Sequence, residues 1–94
     1  MRELLTCRVI FGGKVQRVGF RSAVKEAADR LQITGFVRNL QDGTVEILAQ
    51  GEKLIVEKLL SALEKQFSCH VTTIDYSSAQ EVYKDFKIIF GRDS

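Results

Sequence analysis

The chain is predicted to fold as an α+β domain in the order βαββαβ with an added closing strand. Its antiparallel sheet of four to five strands is covered on one face by two helices. Three observations lead there. Segments with a period of two open and close the sequence, two segments of helical period lie between them, and Asp42-Gly43 separates two strand-like runs as a hairpin turn. Ninety-four residues give room for one hydrophobic core, so residues 1–94 read as a single domain. With 45% apolar and 28% charged residues, the composition is that of a globular chain rather than a disordered or low-complexity one.

Each element has its own pattern. Leu5, Cys7, Val9 and Phe11 alternate with Thr6, Arg8 and Ile10, which predicts a strand with one buried face ending at Gly12-Gly13. Phe20, Val24, Ala27 and Leu31 then recur at helical spacing, with Arg21, Lys25, Asp29 and Arg30 on the wetter side, so the first helix begins near Phe20. Gly35 to Leu40 runs into the turn Gln41-Asp42-Gly43, and Thr44 to Ala49 resumes strand alternation. After Gly51, Val56, Leu59, Leu60, Leu63 and Phe67 mark a second helix across residues 52 to 66, its polar face carrying Glu57, Lys58, Glu64 and Lys65. Thr72, Ile74 and Tyr76 form one further alternating set, and Phe86, Ile88 and Phe90 another. These are two strands joined by a polar connection from Ser77 to Gln80. Phe20, Phe36 and Val37 are expected to fill the core, Lys14 to sit in water, and Gly35 and Gly43 to satisfy backbone geometry.

A formal net charge of +2 is too slight to argue for nucleic acid. Its distribution is more informative. Between Leu4 and Lys25 stand five basic residues, Arg8, Lys14, Arg17, Arg21 and Lys25, and no acidic one, which leaves the rest of the chain net acidic. That asymmetry suits a small anionic ligand. Cys7 and Cys69 lack CxxC spacing, and His70 is the single histidine, whereas a zinc site needs about four converging ligands. No metal site and no cofactor are expected, and both thiols read as packing residues. The N-terminus carries Arg2 and Glu3 and has neither a long apolar run nor a small-residue cleavage site, so it does not resemble a signal peptide. No stretch approaches the roughly 20 apolar residues of a membrane span. The expectation is a reduced, cytoplasmic protein without membrane attachment.

The topology places the chemistry. In a split βαβ unit the strands before and after the first helix run the same way with a third between them, so their C-terminal ends share one edge. The segment Gly12 to Gly19 and Arg21 lie at that edge, as does Asn39 just before the hairpin turn. The two sites are roughly 10 Å apart at the backbone, because neighbouring strands are about 4.8 Å apart. A loop that joins a strand to a helix N-terminus presents unpaired N–H groups and the positive end of a dipole, which makes it a cradle for an anion. Neither GxxxxGK[ST] nor GxGxxG is present, so the cradle is not of the nucleotide-binding kind. Lys14, Val15, Gln16, Arg17, Val18, Gly19 and Phe20 are the candidate substrate-binding residues. The planar guanidinium of Arg21 can grip two oxygens at once.

Gly13-x-Val15-Gln16-x-Val18-Gly19-Phe20-Arg21, followed by Gly35-Phe36-Val37-Arg38-Asn39-x-x-Asp42-Gly43-x-Val45-Glu46, resembles the acylphosphatase signature pair. Tyr83-x-x-Phe86-x-Ile88 is similar to that family's closing strand. The likeness spans nearly the whole chain. It implies a ferredoxin-like sandwich and hydrolysis of carboxyl phosphates, with Arg21 as the phosphate-binding arginine and Asn39 as the residue that orients the attacking water. The substrate is then a small acyl phosphate, with no nucleic acid or membrane as partner, and the protein acts as a monomer.

The chemistry suits such a set. These motifs place no histidine, cysteine or carboxylate as a general base. An acyl phosphate has a leaving carboxylate of low basicity, and its loose transition state asks mainly for positioning and charge stabilisation. A neutral amide aligns water by accepting and donating hydrogen bonds without removing a proton, which a substrate oxygen takes instead.

One position departs from the family, which usually has glycine where this chain has Arg17. A positive φ there would strain an arginine by of order 1 kcal/mol. An ordinary φ would leave its guanidinium as added attraction for the anion. Two rival readings remain. RNA-recognition domains share the βαββαβ order but need aromatic platforms on the first and third strands. Here the third strand has no aromatic residue and the first has only Phe11. A catalytically weak or regulatory domain of the same family begins larger carbamoyl-transfer maturation proteins, and a chain ending at Ser94 is expected to carry no such attached partner.

Overall fold

Alternation through Leu5–Gly13 gives strand β1, which buries Cys7, Val9 and Phe11 and exposes Arg8. The computed structural model describes residues 4–79 and 81–93. After β1 come α1 (Phe20–Leu31), β2 (Thr34–Leu40), β3 (Val45–Gly51), α2 (Lys53–Gln66), β4 (Cys69–Ser78) and β5 (Phe86–Asp93). The predicted elements are therefore all present, from β1 to α2 within two residues of the expected boundaries; β4 starts at Cys69, three residues before Thr72, and β5 starts only at Phe86.

The strands form one sheet in the order β4-β1-β3-β2-β5. The pairings β4 with β1, β1 with β3 and β3 with β2 are antiparallel, as expected. The closing strand differs: β5 lies parallel to β2, which makes the sheet mixed. The reason is the route between the last two strands, which crosses from one edge of the sheet to the other before β5 begins. The buried side chain of Gln50 anchors that crossing. Its Nε2 donates to Thr6 Oγ1 at 3.0 Å and to the Glu81 carbonyl, and its Oε1 accepts from the Tyr83 N–H at 2.9 Å. β4 runs through Ser77 and Ser78, so the predicted polar connection starts later than expected; Gln80 lies outside the described residues.

Both helices pack on one face. Phe20, Val24, Ala27 and Ala28 of α1 and Val56, Leu59, Leu60 and Leu63 of α2 meet Cys7, Val9, Phe11, Val37, Val45, Ile47 and Ala49 of the sheet. Phe20 packs edge-on against Phe11 at 5.6 Å and against Phe67 at 5.0 Å between ring centroids, an arrangement that suits the ring quadrupoles. Removing this apolar surface from water is the main force holding the layers together.

One core expectation and one expected alternation are corrected. Phe36 is half-buried on the face away from the helices, its ring 6.1 Å from Tyr83 and 5.6 Å from the Arg38 guanidinium. Adjacent strand residues face opposite ways, so Phe36 and Val37 cannot share one core. The set Thr72, Ile74 and Tyr76 is broken by a register shift opposite Ile10 and Phe11, where Thr72 is the extra residue and its hydroxyl donates to the Ile10 carbonyl at 3.0 Å. Val71 packs against the core in its place. On the open face Glu46 is 3% exposed and accepts from the Nε of Arg8 and of Arg38, each at 2.5 Å. No helix is long and apolar enough to cross a membrane among the described residues.

Candidate functional site

The loop between β1 and α1 begins where Gly13, at φ 99°, brings the chain against Ser68; a Cβ at Gly13 would stand 2.5 Å from the Ser68 carbonyl oxygen. The Lys14 N–H donates to that oxygen at 2.8 Å and the Val15 N–H to Gly13 O at 3.1 Å. The Val15 side chain is buried in the core, and Lys14 is exposed. Both amides are thus engaged by backbone carbonyls, and the predicted cradle contracts to the residues that follow.

From Gln16 to Phe20 no backbone N–H has a hydrogen-bond partner among the described residues. Arg17 has φ 63° and Gly19 φ 79°, with Val18 between them on the ordinary side. Such alternation turns successive N–H groups toward one concavity, and the start of α1 adds its dipole. A hollow of about 90 Å³ lies there, lined by Val15, Arg17, Gly19, Phe20, Arg21 and Ser22. By this measure one water needs about 10–15 Å³, so the space has room for a small anion. Two larger hollows of about 290 and 430 Å³ flank the β4 to β5 connection, both bordered by Tyr83; neither is lined by an arginine.

Gln16 does not turn its donor toward the hollow. Its Nε2 donates to the carbonyls of Leu40 and Thr44, each at 2.9 Å, and so straps the loop to the β2–β3 hairpin. Asn39 lies next to that strap, paired with Val45, which in turn faces Phe11 near the end of β1. Only 8% exposed, Asn39 has an Oδ1 without a hydrogen-bond partner. A buried orphan acceptor costs about 1–3 kcal/mol, so its retention needs a reason. The turn beyond it is fixed by Asp42, whose Oδ1 accepts from the N–H and the hydroxyl of Thr44. Those bonds hold the Asp42 carboxyl below its usual range.

The half-buried Arg21 extends from the first turn of α1 toward β5. Its Nη1 donates to the Ile89 carbonyl at 3.4 Å, and its guanidinium lies 5.2 Å from the Phe90 ring centre. The structure thus gathers Val15, Arg17, Gly19, Phe20 and Arg21 at one hollow and ties Gln16 to the hairpin of Asn39. Lys14, Val18 and Asn39 do not line the hollow. Ser22 and Phe90 were missed. A hydroxyl following the loop arginine in a first helical turn is a usable signal for Ser22, whereas nothing local connects Phe90 to Arg21.

The thiols lie elsewhere. Burial pushes Cys7 up to about 11, against a hydrogen bond with Tyr76 that acts the other way, and burial pushes Tyr76 up to about 12. Among the described residues no group of three or more His, Cys, Asp or Glu side chains is placed to hold a metal ion.

Arg17 resolves the question left by its sequence: its backbone is left-handed, and the strained alternative is the one that holds. Arg17→Gly is expected to raise the melting temperature by about 2–6 °C. Relief of about 1–2 kcal/mol of strain is partly offset by glycine's greater freedom in the unfolded chain. Calorimetric unfolding checks this, and an unchanged or lower melting temperature contradicts it.

The sequence matches the family model for acylphosphatase over residues 7–88. It is 41% identical over 86 residues to an acylphosphatase of Ligilactobacillus salivarius, across 88% of this chain and 96% of that protein. The fold is similar to the crystal structure of acylphosphatase from Bacillus subtilis, with TM-score 0.76 and 34% identity over 92% of this chain and 99% of that one. It is similar also to part of full-length HypF in a phosphate- and nucleotide-bound form, with TM-score 0.81 and 25% identity over 98% of this chain and 12% of that one.

Proposed function

The chain belongs to the acylphosphatase family, whose enzymes convert a carboxyl phosphate and water to a carboxylate and phosphate, and we propose that it does so without a metal ion. Arg21 and the free amides from Gln16 to Phe20 hold the phosphoryl oxygens. Charge-assisted bonds of this kind are worth about 1.5–3 kcal/mol each. The carboxamide of Asn39 orients the attacking water, accepting one of its protons in a hydrogen bond through Oδ1. No side chain removes a proton from that water; its second proton passes to a phosphoryl oxygen as the weakly basic carboxylate departs.

The observation that carries this reading is the orphan Oδ1 of Asn39, buried on a hairpin that Gln16 straps to the loop of unpaired amides. A water bonded there would complete the hydrogen bond that the protein leaves unmade. The same reading takes residues 1–94 as one domain, a cytoplasmic monomer acting on a small molecule and not on nucleic acid. In support, the net charge is +2, and the open sheet face carries an ion-paired Glu46 on β3 where an aromatic platform would be needed.

The test is hydrolysis of benzoyl phosphate in the presence of a chelator by wild type, Arg21→Ala and Asn39→Ala. Chelator-resistant turnover lost in both variants, each still folded, is expected. Turnover abolished by the chelator, or wild-type rates in both variants, overturns the proposal.

The strap itself has a consequence for rate. Gln16→Leu removes both bonds to the hairpin, and Gln16→Glu substitutes a carboxylate that cannot donate. Each is expected to lower kcat by about tenfold, since small misplacements of a positioned group have large effects on rate. Competitive inhibition by inorganic phosphate should change little, which steady-state kinetics will show.

A further inference from the structure

We infer that Phe90 is a positioning residue for Arg21: its ring holds the guanidinium and leaves the N–H groups other than the one bonded to Ile89 O for the phosphoryl group. This rests on the phosphate-binding role proposed for Arg21. The starting observation is an aromatic ring in the wrong place for a core. On β5 Phe86 is buried and Ile88 packs against the core, yet Phe90 is 77% exposed. Helix α1 begins at Phe20, so a strand running on to Phe90 passes the end of the helical layer, and its ring meets the first turn of α1.

What it meets there is Arg21, with the guanidinium carbon 5.2 Å from the ring centre. A cation within about 6 Å of a ring centre is attracted by the ring's quadrupole. The neighbouring backbone adds a second, weaker hold, the 3.4 Å bond to Ile89 O. One turn further along α1, Lys25 donates to Phe86 O at 2.9 Å. Arg21 and Lys25, four residues apart, therefore both reach carbonyls of β5, and α1 is fixed along that strand by two cations. The lysine is held by a hydrogen bond of ordinary length. The arginine has a long one, so the ring supplies the restraint the carbonyl lacks.

A guanidinium has two distinct surfaces. Its faces suit an aromatic ring, and its edge carries the N–H groups that grip a pair of oxygens. Stacking on Phe90 and binding an oxyanion are therefore compatible, and restraint before binding reduces the ordering cost that falls on the complex.

The test measures binding of inorganic phosphate calorimetrically, together with KM and kcat for benzoyl phosphate, in Phe90→Leu, Phe90→Trp and Arg21→Ala and in the double variant of Phe90→Leu with Arg21→Ala. Leucine keeps the apolar bulk but has no quadrupole, and is expected to weaken phosphate binding about two- to fivefold with a matching rise in KM. Tryptophan, the stronger cation binder, should retain or improve both. In the Arg21→Ala background Phe90→Leu should have no further effect. Wild-type phosphate affinity in Phe90→Leu, a tryptophan variant as weak as leucine, or a Phe90→Leu effect that persists without Arg21 overturns the inference while leaving the role of Arg21 intact. Wild-type phosphate affinity in Arg21→Ala overturns both.

Discussion

Replacement of Arg21 by alanine is expected to lower kcat/KM for benzoyl phosphate by about 10²- to 10⁴-fold, the loss of two charge-assisted hydrogen bonds of about 1.5–3 kcal/mol each. Asn39→Ala is expected to fall in a similar range of about 10²–10³, chiefly in kcat, as removal of one preorganised polar group commonly does. The two should diverge in stability. Arg21 is half-exposed and makes a single long hydrogen bond, to Ile89 O, so its loss should shift unfolding within about 0.5 kcal/mol. Asn39→Ala removes a buried acceptor that has no protein partner, and the variant should be as stable as wild type or more so. Kinetics with denaturant unfolding separate these outcomes. An inactive but destabilised Asn39→Ala would indicate a structural role for the carboxamide.

The second large effect is on folding. Gly35 on β2 has φ 133°, and a Cβ there would lie 1.8 Å from the carbonyl oxygen of Leu48 and 2.8 Å from its carbon. These are backbone atoms of β3, a strand paired on both sides, so neither can give way without distorting the sheet. Gly35→Ala is expected to cost about 3–5 kcal/mol, a large part of the stability of a domain this size, through enforced strain and lost strand pairing. Guanidinium-chloride unfolding would reveal a loss of this size. A change below about 1 kcal/mol would mean that the two strands separate more easily than their register implies.

Much of this arrangement was legible from residue periods. Cys7, Val9 and Phe11 fell at strand spacing and are buried, and Phe20, Val24 and Ala27 fell at helical spacing and are buried. The hollow before α1 was legible too, because a strand entering a helix through glycines creates unpaired amides whatever their ligand. Phe36 was misread although the alternation already excluded it from a core that holds Val37. The bulge at Thr72 and the parallel direction of β5 were not legible, since pairing between distant strands leaves no mark on local spacing. Gln16 bonds to residues 24 and 28 positions away, and Arg21 to one 68 away. No window of sequence contains either pair. Arg17 is the opposite case: a residue type that disfavours a left-handed backbone occupies one, so the residue itself disguises the local geometry.

The ion pairs on the open face bear on how the sheet avoids alternative alignments. Glu46 sits on the central strand and accepts from arginines on both of its neighbours. Sliding β3 by a single residue would carry that carboxylate through to the apolar layer beneath the helices and take it away from both guanidinia. The trio thus discriminates against slipped strand pairings, a selectivity that burial of interchangeable Val and Ile side chains alone would not provide.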